Sequence, residues 1–145
     1  MERDEFLRKC SLVCLSGLGI SFLLPGCSPA YYIPFVVEGN RVKVKKADFV
    51  EVKKEKLLEH NWVLVKTERY EEPIYLRKLE NNDYSAVLLH CQHKGCEVNP
   101  AADMLHCPCH GSEYTTTGKV VKGPSEKDLQ QFMVQADGDY LYIQL

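Results

Sequence analysis

Two short stretches, CQHKGC from Cys91 to Cys96 and CPCHGSEY from Cys107 to Tyr114, hold four of the chain's seven cysteines and two of its five histidines. Thiolates and imidazoles together suit zinc, or iron in a mixed cluster, whereas cysteines alone can form disulfides. Zinc, a disulfide, a haem and an iron–sulfur cluster could each use some of these residues. The candidate ligands are Cys91, His93, Cys107 and His110. A Cys2His2 zinc site is the plainest alternative, but such sites usually take paired cysteines from one loop and paired histidines from another. Here each loop supplies one of each. A haem attachment motif needs Cys-x-x-Cys-His, and Cys107-Pro108-Cys109-His110 is one residue short of it. A disulfide-only reading leaves the histidines without a role.

Taken as a pair, C-x-H-x-G-C and C-P-C-H-G-S resemble the motifs of Rieske [2Fe–2S] domains. The resemblance implies that Cys91 and Cys107 hold one iron while His93 and His110 hold the other through ring nitrogens. It implies a disulfide between Cys96 and Cys109, the pair that marks the cytochrome bc-type members. Gly123-Pro124 is similar to the loop that covers the cluster in quinol-oxidising members. Ser112 and Tyr114 match hydroxyls that donate hydrogen bonds to a bridging sulfide and to a ligand cysteine sulfur, here Cys91. Reduction adds negative charge, so donors aimed at the sulfurs favour the reduced form. A hydrogen bond to a charged group contributes about 1.5–3 kcal/mol, which for one electron is roughly 65–130 mV. The expected potential is therefore near the positive end of the family's range of about −150 to +300 mV.

The implied function is one-electron transfer, as a carrier or as a subunit of a respiratory-type redox complex, with a cytochrome or membrane redox complex as partner. An oxidoreductase subunit that oxidises quinol in a bc-like complex is one alternative. A zinc-stabilised structural lipoprotein is the other. Lys94 departs from the quinol-oxidising pattern, which typically has Leu there. An exposed cation fits an acidic partner better than an apolar quinol pocket.

Such loops need strands to present them. Val42 and Val44 alternate with Arg41, Lys43 and Lys45, and short β-branched or aromatic runs follow at Trp62–Val65, Ile74–Leu76 and Tyr84–Leu89. The run from Tyr84 leads into the first Cys loop, and Met104-Leu105-His106 leads into the second. Asp137-Gly138 between two apolar runs predicts a hairpin. Glu55 to His60 is the one stretch with a locally helical look, and Lys43 to Lys56 reads as a solvated strand face and turn rather than a docking patch. His90 and His106 are expected to point away from the ligand-facing side, as polar strand residues. The pattern predicts an all-β chain. With the resemblance, this becomes an antiparallel β-sandwich over 41–145 with a small cluster-binding subdomain at about 86–124.

At 145 residues there is room for one domain, and a net charge of −2 gives no sign of nucleic-acid or anionic-membrane binding by the chain as a whole. Residues 1–26 read as an export signal of lipoprotein type. Arg3, Arg8 and Lys9 precede an apolar run from Cys10 to Leu24, too short for a bilayer core that needs about 20 apolar residues. Leu24-Pro25-Gly26-Cys27 resembles the lipobox of bacterial lipoproteins, which implies cleavage before Cys27 and lipidation of it. An uncleaved N-terminal anchor is the alternative. Arg3 to Arg8 resembles a twin-arginine signal with Asp4 in the second arginine position; that route would carry the protein across folded, with its cofactor. Residues 27–40 would then be a tether, and the domain would be membrane-anchored in the cell envelope, facing the periplasm or exterior. Cys10 and Cys14 leave with the signal, so no thiol remains free.

Overall fold

Over residues 30–145, the part that the computed structural model describes, the chain forms short strands and no α-helix. The export signal and the lipidation candidate Cys27 lie outside the described residues. β1 (Val36–Glu38) and β2 (Arg41–Lys45) form a hairpin, and a 3-10 turn at Lys46–Phe49 leads to a second hairpin of β3 (Val50–Lys53) and β4 (Lys56–Glu59). A meander of β5 (Trp62–Val65), β6 (Ile74–Lys78) and β7 (Tyr84–Leu88) follows. Next come β8 (Asn99–Ala101), β9 (Met104–His106), β10 (Glu113–Thr115) and β11 (Val120–Lys122). The chain closes with β12 (Gln131–Phe132), β13 (Val134–Asp137) and β14 (Tyr140–Gln144). The antiparallel sheets have the orders β1-β2-β14-β13, β12-β7-β6-β5 and β11-β10-β9-β8, with β3-β4 a separate pair.

Two kinds of strand follow from what covers them. In β2, Val42 and Val44 are buried while Arg41 and Lys45 face solvent, because one face of that sheet is wet. In β5 the residues Val63, Leu64 and Val65 are all buried, as are Ile74, Tyr75 and Leu76 in β6. The sheet β12-β7-β6-β5 is covered on both sides. One face contributes Val63, Val65, Ile74, Leu76, Ala86 and Leu88 to a core shared with Val42, Val44, Leu141 and Ile143 of the first sheet. The other contributes Leu64, Tyr75 and Val87 to a second core with Leu105 and Tyr114 of the third sheet, and with Leu89, Cys91, Val98, Cys107 and Leu129. The expected all-β antiparallel sandwich is present, with a third layer that carries the cysteine loops.

The hairpin at Asp137-Gly138 forms, with Asp137 paired to Tyr140 and Gly138 at φ 52°. The helical look of Glu55 to His60 is overridden. Residues Lys56–Glu59 are β4, paired in register with β3 around a turn that holds Lys54 and Glu55 at φ 48° and 64°. Partners across the hairpin outweigh a weak local helix preference. The stretch read as a tether is docked from Tyr31 onward. The Ile33 N–H donates to the Leu64 carbonyl (3.0 Å), the Leu64 N–H donates to the Tyr31 carbonyl (2.9 Å), and Ile33 is buried. No helix among the described residues is long and apolar enough to cross a membrane.

Candidate metal centre

The chain leaving β7 and the chain leaving β9 make loops closed in the same way. In the first, the Cys91 N–H donates to the Cys96 carbonyl and the Gly95 N–H to the Cys91 carbonyl, both at 2.9 Å. In the second, the Cys107 N–H donates to the Ser112 carbonyl at 2.8 Å and the Gly111 N–H to the Cys107 carbonyl at 3.0 Å. Gly95 and Gly111 have φ of 78° and 79°, a left-handed turn that suits glycine. At Gly95 a Cβ would also meet the His90 ring at 3.1 Å. Gln92, His93, Lys94 and Gly95 thus occupy the places of Pro108, Cys109, His110 and Gly111.

The loops bring the candidate ligands together in like pairs, cysteine with cysteine and histidine with histidine. Cys91 and Cys107 are free thiols, each 1% exposed, at the base. His93 and His110 face each other near the surface, ring centroids 4.9 Å apart and planes at 87°. His110 is exposed and His93 half-buried. Among the described residues, the His93 Nδ1 is buried without a hydrogen-bond partner, a costly state unless the nitrogen has a ligand. Cys96 and Cys109 are joined by a disulfide that ties one loop to the other. Their sulfurs and the Cys107 sulfur lie within 4.8 Å of one another, but two of the three are bonded to each other and do not act as thiolate ligands.

Electrostatics prepare the two thiols differently. Burial pushes the Cys91 thiol up, but the Tyr114 hydroxyl, the His93 N–H, the Cys107 thiol and the Lys94 N–H outweigh it and hold its pKa below that of a free cysteine. Burial keeps the Cys107 thiol above a free cysteine's, and neighbouring Cys91 adds to this against the N–H groups of Cys109 and His110. The Tyr114 Oη is 3.2 Å from the Cys91 Sγ, in the buried interior. Burial, and then Cys91, raises the pKa of this phenol, so it stays protonated and able to donate. Ser112 is fully buried, and its Oγ accepts from the Ser125 N–H at 3.0 Å. With that lone pair occupied, the Ser112 proton remains available to a second acceptor. Gly123 and Pro124, exposed and joined by a cis peptide, sit immediately before this anchor.

Ser125 was not singled out from the sequence; its place beside Gly123-Pro124 was the available signal. Glu72, a buried carboxylate between β5 and β6, had no local signal. It accepts from the His90 Nδ1 at 2.9 Å, so His90 is not a bare surface residue: its ring lies under Gly95 of the first loop. His106 does lie at the surface of its sheet, 3.9 Å from Glu113, which pairs with Lys122 at 2.8 Å. Two buried thiols, two facing imidazoles and an orphaned ring nitrogen fit a group that takes thiolate and imidazole ligands.

A model of the Rieske [2Fe–2S] domain family matches residues 40–133. The cytochrome b6-f complex iron-sulfur subunit 2 of Nostoc sp. (strain PCC 7120) is 38% identical over 76 residues, which are 50% of this chain and 43% of the relative. The chain thus spans less than half the length of the first curated relatives it matches. Iron-sulfur subunit 1 of the same complex in that organism is 30% identical over 99% of this chain and 84% of its own length. Among solved structures, the cyanobacterial plasma membrane Rieske protein PetC3 from Synechocystis PCC 6803 superposes with a TM-score of 0.52 at 32% identity, covering 59% of this chain and 87% of that one.

Proposed function

The chain belongs to the Rieske [2Fe–2S] domain family, and on that premise we propose that it carries single electrons between redox partners. When bound, the family's [2Fe–2S] cluster takes up and releases one electron. Cys91 and Cys107 would hold one iron as buried thiolates, and His93 and His110 would hold the other. The observation that carries this reading is the pair of facing imidazoles, 4.9 Å apart, at the tips of loops whose bases hold two buried free thiols. Imidazole ligands repel added negative charge less than thiolates do, so the histidine side would be the better place for the electron. His110, exposed, is the edge a partner can touch. Tyr114 and Ser112 supply donors from the interior, and the Cys96–Cys109 disulfide keeps the loops in register.

The family match over 40–133 supports a domain at 41–145. The sheet β8 to β11, with the loops flanking it, supports a cluster-binding unit at about 86–124. The relatives are named as subunits of cytochrome b6-f complexes, which supports a membrane redox complex as partner. The lipobox-like Cys27 would tether the domain to a membrane of the cell envelope, on the periplasmic or outer side. Quinol oxidation is a second reading, favoured by those relatives and by Gly123-Pro124 near the site; Lys94, exposed on the first loop, weighs against it.

Protein purified anaerobically is expected to contain iron and sulfide in equal amounts and to gain a paramagnetic signal on reduction by one electron. Cys107→Ser should abolish that signal. Colourless protein holding zinc without sulfide would establish the structural lipoprotein instead. Co-purification with a b-type cytochrome would decide for the quinol-oxidising complex over the separate carrier.

A further inference from the structure

The β3–β4 hairpin carries two features that are unfavourable in water. Val52 and Leu57 face each other across it, 73% and 74% exposed. Beside them Lys53 is directly opposite Lys56, like charges in a position where they repel. Lys54 and Glu55 complete the tip, so three cations surround one anion. A two-stranded hairpin is marginal by itself unless something covers its apolar face. The sequence alone reads 43–56 as a solvated face and turn, but the two pairs lie on opposite faces of one tip. We infer that the tip of the hairpin meets an anionic bilayer surface end-on, which would cover the Val52–Leu57 pair on one side and neutralise Lys53 and Lys56 on the other. The inference builds on the reading of the N-terminus as a membrane anchor.

Strand direction says why a bilayer is the fitting cover. Tyr31 stacks on His60 with ring centroids 4.5 Å apart, and the His60 N–H closes the base of the hairpin on the Phe49 carbonyl at 2.8 Å. The chain therefore arrives from its N-terminal side at the foot of β3–β4. From Cys27 to Ala30 it can extend at most about 11 Å, so an anchor at Cys27 keeps the hairpin close to the membrane. Tyr32 pairs with Leu64 in parallel, and the start of β5 is level with Ser85 of β7 through Arg77. Cys91 lies six residues beyond Ser85 along that direction, about 20 Å at roughly 3.3 Å per residue. Hairpin and anchor sit at one end of the central sheet and the cysteine loops leave from the other. An amphipathic tip of apolar and basic residues matches an anionic surface. Docked in this way, the domain holds the His93–His110 face away from the lipid and toward a partner in the aqueous compartment.

The test is limited trypsinolysis at Lys53, Lys54 and Lys56 in the full chain, reconstituted into phosphatidylglycerol–phosphatidylcholine vesicles and compared with detergent solution. Cleavage there is expected to slow about tenfold in the vesicles. Val52→Ser/Leu57→Ser, at exposed positions and checked for unchanged circular dichroism, is expected to lose that protection. Equal rates in vesicles and detergent overturn the inference. So does protection in native membranes without protection in the lipid vesicles, which assigns the hairpin to a protein partner. A chain that washes off membranes in carbonate removes the anchor but not the hairpin. The same vesicles are then added to the soluble protein: protection upholds lipid docking, and its absence overturns it.

Discussion

At Tyr114, a single O–H links the protein interior to the proposed redox group. The ring is fully buried in the second core, and its hydroxyl lies 3.2 Å from the Cys91 sulfur. Tyr114→Phe keeps the packing and removes the donor. The midpoint potential should fall by roughly 65–130 mV, the equivalent of one hydrogen bond to a charged group. Ser112→Ala should shift it in the same direction, and voltammetry showing an unchanged midpoint in both would remove them from the surroundings of the cluster. Cys91, His93, Cys107 and His110 could be picked out of the chain as candidate ligands because metal chemistry restricts residue type and because each loop keeps its members adjacent. Glu72 could not, and Ser125 only through its place beside Gly123-Pro124. The bond from Ser125 to Ser112 spans 13 residues, and Glu72 meets His90 from another strand connection. Nothing in the local spacing announces contacts that exist only once the strands have paired.

Among the elements, those with one wet face were the most legible. β2 alternates as its sequence does, whereas β5 and β6 are buried on both faces and read only as short apolar runs. Their double burial separates two kinds of core substitution. Ile143→Ala, in the core between the first two sheets, and Leu105→Ala, in the core that includes Cys91 and Cys107, should each cost about 2–5 kcal/mol of stability in thermal or urea unfolding. Only Leu105→Ala is expected to alter the potential or the iron content of the folded protein, since it alone loosens packing against the thiols. Glu55 to His60 was misread because a turn and a cross-strand partner, both outside the local pattern, decided its conformation. The edge hairpin β1–β2 offers a pH test. Glu38 bonds Lys43 at 3.3 Å and Arg41 at 3.1 Å, and these partners, Lys43 foremost, hold its carboxyl below the usual range despite some desolvation. A depressed folded pKa means that the contribution is present above the ordinary carboxylate pKa of about 4.3 and is lost as pH falls through the lower, folded value. The protection of the Val36–Glu38 amides, their exchange relative to the intrinsic rate at each pH, should therefore fall on acidification, and Glu38→Gln should flatten that response.

For the whole molecule, the net charge of −2 offers an acidic partner no attraction, so a local cation must do the steering. Lys94 is exposed beside His93. Lys94→Glu should slow electron transfer to an acidic cytochrome about tenfold at low salt. The difference should vanish near 1 M salt, where the screening length is about 3 Å. The potential should fall by less than in Tyr114→Phe, because the exposed charge is screened by solvent; stopped-flow mixing reads the rates and voltammetry the potential. The tether was the least legible part at this scale, because Tyr31 and Ile33 become part of the domain only by pairing with β5. That same sheet, β12-β7-β6-β5, is the wall between the two cores. Neither core keeps its shape if the wall moves, so melting of the sandwich and release of iron belong to one cooperative event. Bleaching of the visible colour on heating should follow the loss of far-ultraviolet circular dichroism with a shared midpoint. A variant weakened far from the loops would then stop carrying electrons with every ligand still in its chain.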